Sequence, residues 1–240
     1  IQPATSGEMI YKGTAWKPAN TLEAALNGIG MIVQEAGTIP GITVAENIFL
    51  GNYGTFKKGP LIDRARMNGA AAEAMERVGI TTIDPSQPAF RYDMQERKLI
   101  EIARVMAGEP ELFIVDETTT ALSHSGRALL YQIMHDAAAR NKAVIFISHD
   151  LHELMEHCDT LTILRDGVII DNLEKADFEP GNIKRKMVGR EVREDYYRND
   201  MDGYGSQVVL KADCITTMKD LLCFDLELHK GEILGIGGLS

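Results

Sequence analysis

ELFIVDETTTALS, residues 111–123, runs four apolar residues, Leu112 to Val115, straight into two adjacent carboxylates, Asp116 and Glu117, and then three threonines. A short continuous apolar run predicts a buried strand, covered on both faces as in a parallel sheet. Acids at the end of such a strand are costly unless something positive meets them, and a metal ion with a phosphate would do so. The plain alternative is a helix cap, since Asp and Thr often follow a strand in that role.

The neighbouring segments favour the first reading. A second apolar strand, KAVIFISHD, ends at His149, and an earlier run, GIGMIV, ends at Gln34. Helical texture separates them. LEAALNG, the stretch from Leu61 to Ile80, QERKLIEIARVMAG, GRALLYQIMHDAAAR and LHELMEHC all read as helix, and QERKLIEIARVMAG places Leu99, Ile102, Ala103 and Met106 on one apolar face. Strands alternating with helices predict an α/β layer fold with a largely parallel sheet. In such a sheet the carboxyl ends of the strands share one edge, where ligands sit. Gln34, Asp116, Glu117 and His149 are therefore expected to converge.

The remainder of the chain reads as follows. GEMIYKG is a short strand between glycines, and TLTILRDGVII is a hairpin turning at Asp166-Gly167. Residues 189–206 are charged and poor in aliphatic side chains, as in a linker. Strand texture resumes in VVLKADCI, LLCFDLEL and GEILGIGGLS. The chain of 240 residues has a net charge of −10, which argues against a nucleic-acid surface. No apolar run approaches the ~18 residues of a membrane span. Cys158, Cys214 and Cys223 are widely spaced and match neither a disulfide framework nor a metal site, so a reducing cytosol is the expected setting.

The segments IVQEAGTIPGITVAENIFLG, LFIVDETTTALS, VIFISHDLHELMEHCDTLTILRDG and KMVGRE resemble the ATPase subunits of ABC transporters. The match is best to the tandem type that drives bacterial import of simple sugars such as ribose, xylose and galactosides. The resemblance runs from Ile1 to Ser240. It implies a P-loop NTPase-type layered α/β sheet with an inserted helical subdomain at about 43–108, incomplete at its N-terminus. Residues 1–188 would be a first ATPase domain without its N-terminal strands and P-loop, and 207–240 the first strands of a second. The pattern G-x-x-x-x-G-K-[ST] occurs nowhere in the chain. GGLS, with Gly238, Leu239 and Ser240, resembles the opening of a second P-loop. The chain alone is therefore expected to bind ATP weakly or not at all, and to be inactive by itself.

The resemblance also implies roles. Asp116 would hold Mg²⁺ through water, with Gln34 as a further ligand; Glu117 would act as general base or polarise the attacking water, His149 would contact the γ-phosphate, Gln34 would sense it and couple the site to the membrane subunits, and Thr120, Ala121, Leu122 and Ser123 would form the D-loop beside ATP. Thr118 stands where these proteins usually carry proline, and its hydroxyl is expected to help cap the turn. The signature resembling L-S-G-G-Q departs from type, its places holding Tyr92, Asp93, Met94, Gln95 and Glu96. Asp93 and Glu96 instead fit a capping box. An aspartate facing the γ-phosphate should weaken that site unless Arg97 or Lys98 turns toward it. Implied partners are membrane permease subunits, a sugar-binding protein acting through them, and a second ATPase domain in a dimer or pseudo-dimer at the cytoplasmic face of the membrane, with no nucleic acid. The rival readings are a non-catalytic regulatory module with a degenerate signature, which Glu117 and His149 argue against, and a soluble ABC ATPase of repair or translation, which the acidic charge and MVGRE argue against.

Overall fold

The computed structural model describes residues 4–34, 37–189, 203–216 and 223–236. The chain divides into two compact units, Ile1–Gly189 and Arg190–Ser240. The first opens with a hairpin of β1 (Ile10–Tyr11) and β2 (Thr14–Ala15), then α1 (Thr21–Leu26), whose cap Asn20 accepts from the Glu23 amide. After β3 (Ile29–Ile32) come α2 (Val44–Ile48), a minor hairpin of β4 (Lys57–Lys58) and β5 (Leu61–Ile62), α3 (Arg64–Arg77) and α4 (Met94–Ala107). β6 (Leu112–Asp116), α5 (His124–Ala139), β7 (Ala143–Ile147) and α6 (Leu151–His157) alternate, and a hairpin of β8 (Thr160–Arg165) and β9 (Val168–Glu174) leads to α7 (Pro180–Val188). Asp166 and Gly167 both take positive φ, 52° and 77°, at the hairpin turn, the conformation that Asp-Gly favours.

The central feature is a parallel sheet ordered β3–β6–β7. Its register pairs Ile32 with Val115 and Asp116 with Ile147, so the three strands end side by side. Phe113 and Val115 point into a core built with Ile102 of α4 and with Leu130, Ile133 and Met134 of α5. Gly30 lies beneath α4, where an added Cβ would come within 2.5 Å of Val105. A separate cluster joins α2, α3 and α4 through Val44, Ile48, Met67, Met75 and Ile100. A third joins α6, the β8–β9 hairpin and α7 through Leu154, Leu161, Ile163, Leu173 and Ile183.

Four expectations change. Coverage of the sheet on both faces is not found among the described residues. α4 and α5 cover the face of Phe113 and Val115, while the opposite face leaves Met31 40%, Ile145 46% and Ile147 45% exposed. β7, read as buried, is a half-exposed strand whose one ladder partner among the described residues is β6. In the second unit, β10 (Val208–Ile215) and β11 (Phe224–His229) form an antiparallel pair, while Glu232–Ile236 is not a strand and has no ladder partner among the described residues. Finally, Cys214 and Cys223 are joined by a disulfide. Their spacing hid it, because only the hairpin, with Ile215 opposite Phe224, brings the two cysteines together. No helix among the described residues is long and apolar enough to cross a membrane.

Among the described residues an apolar sheet face is uncovered beside an unpaired edge of β7, which favours association between chains. Replacing Ile145 and Ile147 together with threonine, which keeps β-branching, should lower binding of a hydrophobic dye and reduce concentration-dependent association in sedimentation velocity. Unchanged sedimentation would show that this face does not drive association.

Candidate functional site

The shared register carries the chemistry to one place. Just beyond the strand ends, Gln34 Nε2 donates to Glu117 Oε2 at 2.8 Å, and His149 Nδ1 lies 3.6 Å from Glu117 Oε1. Glu117 is thus held between an amide from the end of β3 and an imidazole from the end of β7. Its side chain keeps 32% exposure and that of His149 66%, so both are open to an incoming group. With its amide nitrogen turned to Glu117, Gln34 has its carbonyl oxygen left over. Asp116 ends β6, and its carboxylate has no hydrogen bond or ion pair among the described residues.

The backbone at Glu117 is left-handed, φ 43° and ψ 31°, which a side chain with Cβ adopts at a cost. It is pinned there. The Glu117 amide donates to Ile147 O of β7 at 2.9 Å, and Thr120 Oγ1 donates to Glu117 O at 3.1 Å. Thr118 is buried and its hydroxyl donates to Asp116 O at 3.1 Å, so it does cap the turn.

A second carboxylate supports this turn from behind. Glu153 of α6 is 7% exposed and accepts from Thr119 Oγ1 at 2.9 Å and Ser148 Oγ at 2.8 Å, with Arg127 of α5 at 3.9 Å. Burial and this nearby carboxylate push the Tyr131 hydroxyl well above the usual tyrosine range. Sequence reasoning missed Glu153. Its spacing from Asp150 suggests a local cap, whereas Asp150 alone caps α6, bonding the His152 amide.

Among the described residues, one side-chain hydrogen bond joins the segment Tyr92–Gln95 to this region. Gln95 Oε1 accepts from the Ser123 amide at 3.0 Å, tying the start of α4 to the start of α5. Asp93 and Glu96 form the expected capping box, while Met94 is 58% exposed and Tyr92 bonds to Asp84. Gln95 therefore does not stand out in front of the helix. Neither cation turns toward Asp93: Arg97 donates to the carbonyls of Ala89, Phe90 and Tyr92, and Lys98 is directed into the interior. Leu122 is 6% exposed and packs in the core, and Ala121 lies beside it without a polar contact. Gly238, Leu239 and Ser240 lie outside the described residues. A cleft of about 510 Å³ opens at the other end of the strands, beside Pro110 and Lys142, away from these groups.

All the oxygen donors at the strand ends are hard ligands. No group of three or more His, Cys, Asp or Glu among the described residues could enclose a metal by itself. That suits Mg²⁺, which takes one or two protein ligands and fills its octahedron with water and phosphate oxygens.

The family model for the ABC transporter matches residues 1–120. The ribose import ATP-binding protein RbsA of Rhodopirellula baltica is 33% identical over 246 residues, covering 100% of this chain and 47% of that protein. The xylose import ATP-binding protein XylG of Brucella abortus is 33% identical over 247 residues, covering 98% and 46%. The chain spans about half the length of the curated relatives it matches. Among solved structures, the ATP-binding cassette MJ0796 in a dimeric, post-hydrolysis state with ADP and Pi superposes with a TM-score of 0.59 at 18% identity, covering 72% of this chain and 75% of that one. CbiO1 from Clostridium perfringens gives 0.57 at 19% identity, covering 77% and 70%. These likenesses show the fold.

The left-handed backbone at Glu117 predicts a trade between stability and chemistry. Glu117→Gly should raise unfolding free energy by roughly 0.5–1 kcal/mol in urea denaturation, because glycine escapes the left-handed penalty but carries more unfolded-state entropy. Glu117→Gln should not. A Gly variant no more stable than the Gln variant would mean that the turn stores no strain.

Proposed function

The chain belongs to the ABC transporter family, and we propose that it is part of the ATP-hydrolysing subunit that powers import of a simple sugar. The observation that carries this reading is the convergence of Gln34, Glu117 and His149 at one sheet edge beside Asp116. The names of its relatives as ribose and xylose import proteins support the sugar class.

In this reading Glu117 accepts a proton from, or polarises, the attacking water. The Gln34 amide fixes which carboxylate oxygen of Glu117 is engaged, leaving Oε1 toward His149. The imidazole of His149, largely exposed, donates to the γ-phosphate. Asp116 and the free carbonyl oxygen of Gln34 are the ligands we assign to Mg²⁺, which when bound neutralises charge on the phosphoryl oxygens. Asp93, spending its carboxylate on the α4 cap, keeps a negative charge at the helix start. At ~4 Å from a phosphate oxygen that charge would cost about 1 kcal/mol in water and about 4 at intermediate dielectric, so the ATP site facing it is the weaker of a pair. The subunit would work as a dimer or pseudo-dimer of ATPase domains, docked on membrane permease subunits at the cytoplasmic face and served indirectly by a sugar-binding protein.

In the tandem subunit of which we propose this chain is part, Glu117→Gln should lower ATP turnover by at least ~10²-fold, the scale of a lost general base, and leave ATP binding in place. Near-normal turnover in that variant would remove Glu117 from the mechanism.

A further inference from the structure

We propose that Lys98, Glu101 and Arg104 form a positioning triad that ties Gln34 to α4 and so sets the reach of its carboxamide to Glu117. The inference rests on the reading that Glu117 activates water, and names residues that act on it only through Gln34.

Lys98 is 0% and Glu101 1% exposed, an unusual depth for two charges. Lys98 Nζ donates to Glu101 Oε2 at 2.9 Å and to Val33 O at 2.7 Å, and reaches Gln34 O at 3.5 Å. Glu101 accepts from the Val33 amide at 3.4 Å and the Gly37 amide at 3.3 Å. Arg104 lies 3.5 Å from Glu101 Oε1 and donates to Gly37 O at 2.6 Å. Nearly two turns of α4 thus hold the main chain of Val33, Gln34 and Gly37, where β3 has ended and its ladder no longer serves those groups.

The fit is close. A Cβ on Gly37 would come within 2.6 Å of Glu101 Oε1 and 2.8 Å of Arg104 Nη2, so a side chain there would displace the two groups that hold this main chain. An apolar pair of the same volume often matches a buried ion pair in stability, but here it would leave the Val33 carbonyl and the Val33 and Gly37 amides without these partners. What an apolar core cannot do is fix polar main chain in one place. The same helix begins at Asp93 and is tied to Ser123 by Gln95, so its N-terminus and Gln34 are joined through a single rigid element.

Two measurements test this. In the chain itself, amide exchange by NMR should show Gly37 slower than Thr38, whose amide has no hydrogen-bond partner among the described residues. Lys98→Met with Glu101→Leu, which keeps the packing, should lower Gly37 protection on the order of tenfold and move the Gln34 side-chain amide resonance, while Lys98→Arg alone, which keeps Glu101 and a cation beside it, should retain most of the protection. Equal fast exchange of Gly37 and Thr38 in the unmodified chain would overturn the proposal whether or not any variant folds. In the tandem subunit, the double substitution should lower turnover about tenfold in the presence of Gln34 and have no further effect in a Gln34→Ala background. Equal losses in both backgrounds would reduce the triad to a structural plug. A subunit without ATP turnover, but with the exchange pattern expected, would refute the hydrolase reading and leave the triad standing.

Discussion

Strand β6 is paired along its length on both sides, and that double pairing sets everything chemical in this chain. Leu112 to Val115 bond in register to β3 and to β7 at once. A parallel ladder cannot slip by one residue without turning Phe113 and Val115 out of the core, so hydrophobic burial fixes where each strand stops. The stop is where the polar groups begin. Gln34, Asp116, Glu117 and His149 come together because three apolar runs of similar length are aligned by their inner faces.

Beyond the strand ends, buried carboxylates replace the ladder. Glu101 serves the chain leaving β3, and Glu153 serves the turns after β6 and β7. Each is nearly solvent-free and each meets a cation, Lys98 and Arg104 in one case and Arg127 in the other. Removing one partner of the Lys98–Glu101 pair, both members of which are buried, would leave an uncompensated buried charge and cost about 3–5 kcal/mol. The site therefore has a floor of fixed acceptors beneath a mouth of exposed side chains, and only the mouth is free to meet a ligand.

Much of this was legible in the sequence where the signal was local. The apolar run of β6, the Asp93–Glu96 cap and the Asp-Gly hairpin are each decided within a few residues. What required distant partners was not legible. The 3.6-residue pattern in α4 marked Leu99, Ile102, Ala103 and Met106, yet the buried set is Lys98, Ile100, Glu101, Ile102 and Ala103. Two charges belong to the inner face because main chain from 65 residues away needs them, as the Lys98–Val33 bond shows. Likewise, Val144 and Phe146 read as apolar whether one face of β7 is covered or two. The pairing of Cys214 with Cys223 depends on hairpin register, which spacing alone does not give.

Thr118 links local chemistry to the site through its hydroxyl. A proline here would bias the preceding residue toward extended backbone, because its ring crowds the residue before it. Glu117 instead turns left-handed at φ 43°, and Thr118 contributes the hydroxyl that bonds Asp116 O across the same turn. The direction of the Glu117 carboxylate follows from that φ together with the bond from its amide to Ile147 O. A residue that departs from the family's usual pattern thus stands directly behind the carboxylate on which the proposed chemistry depends. The departure at Asp93 is different in kind: there the side chain is consumed by its own helix, and the turn it caps would form with any good N-cap residue.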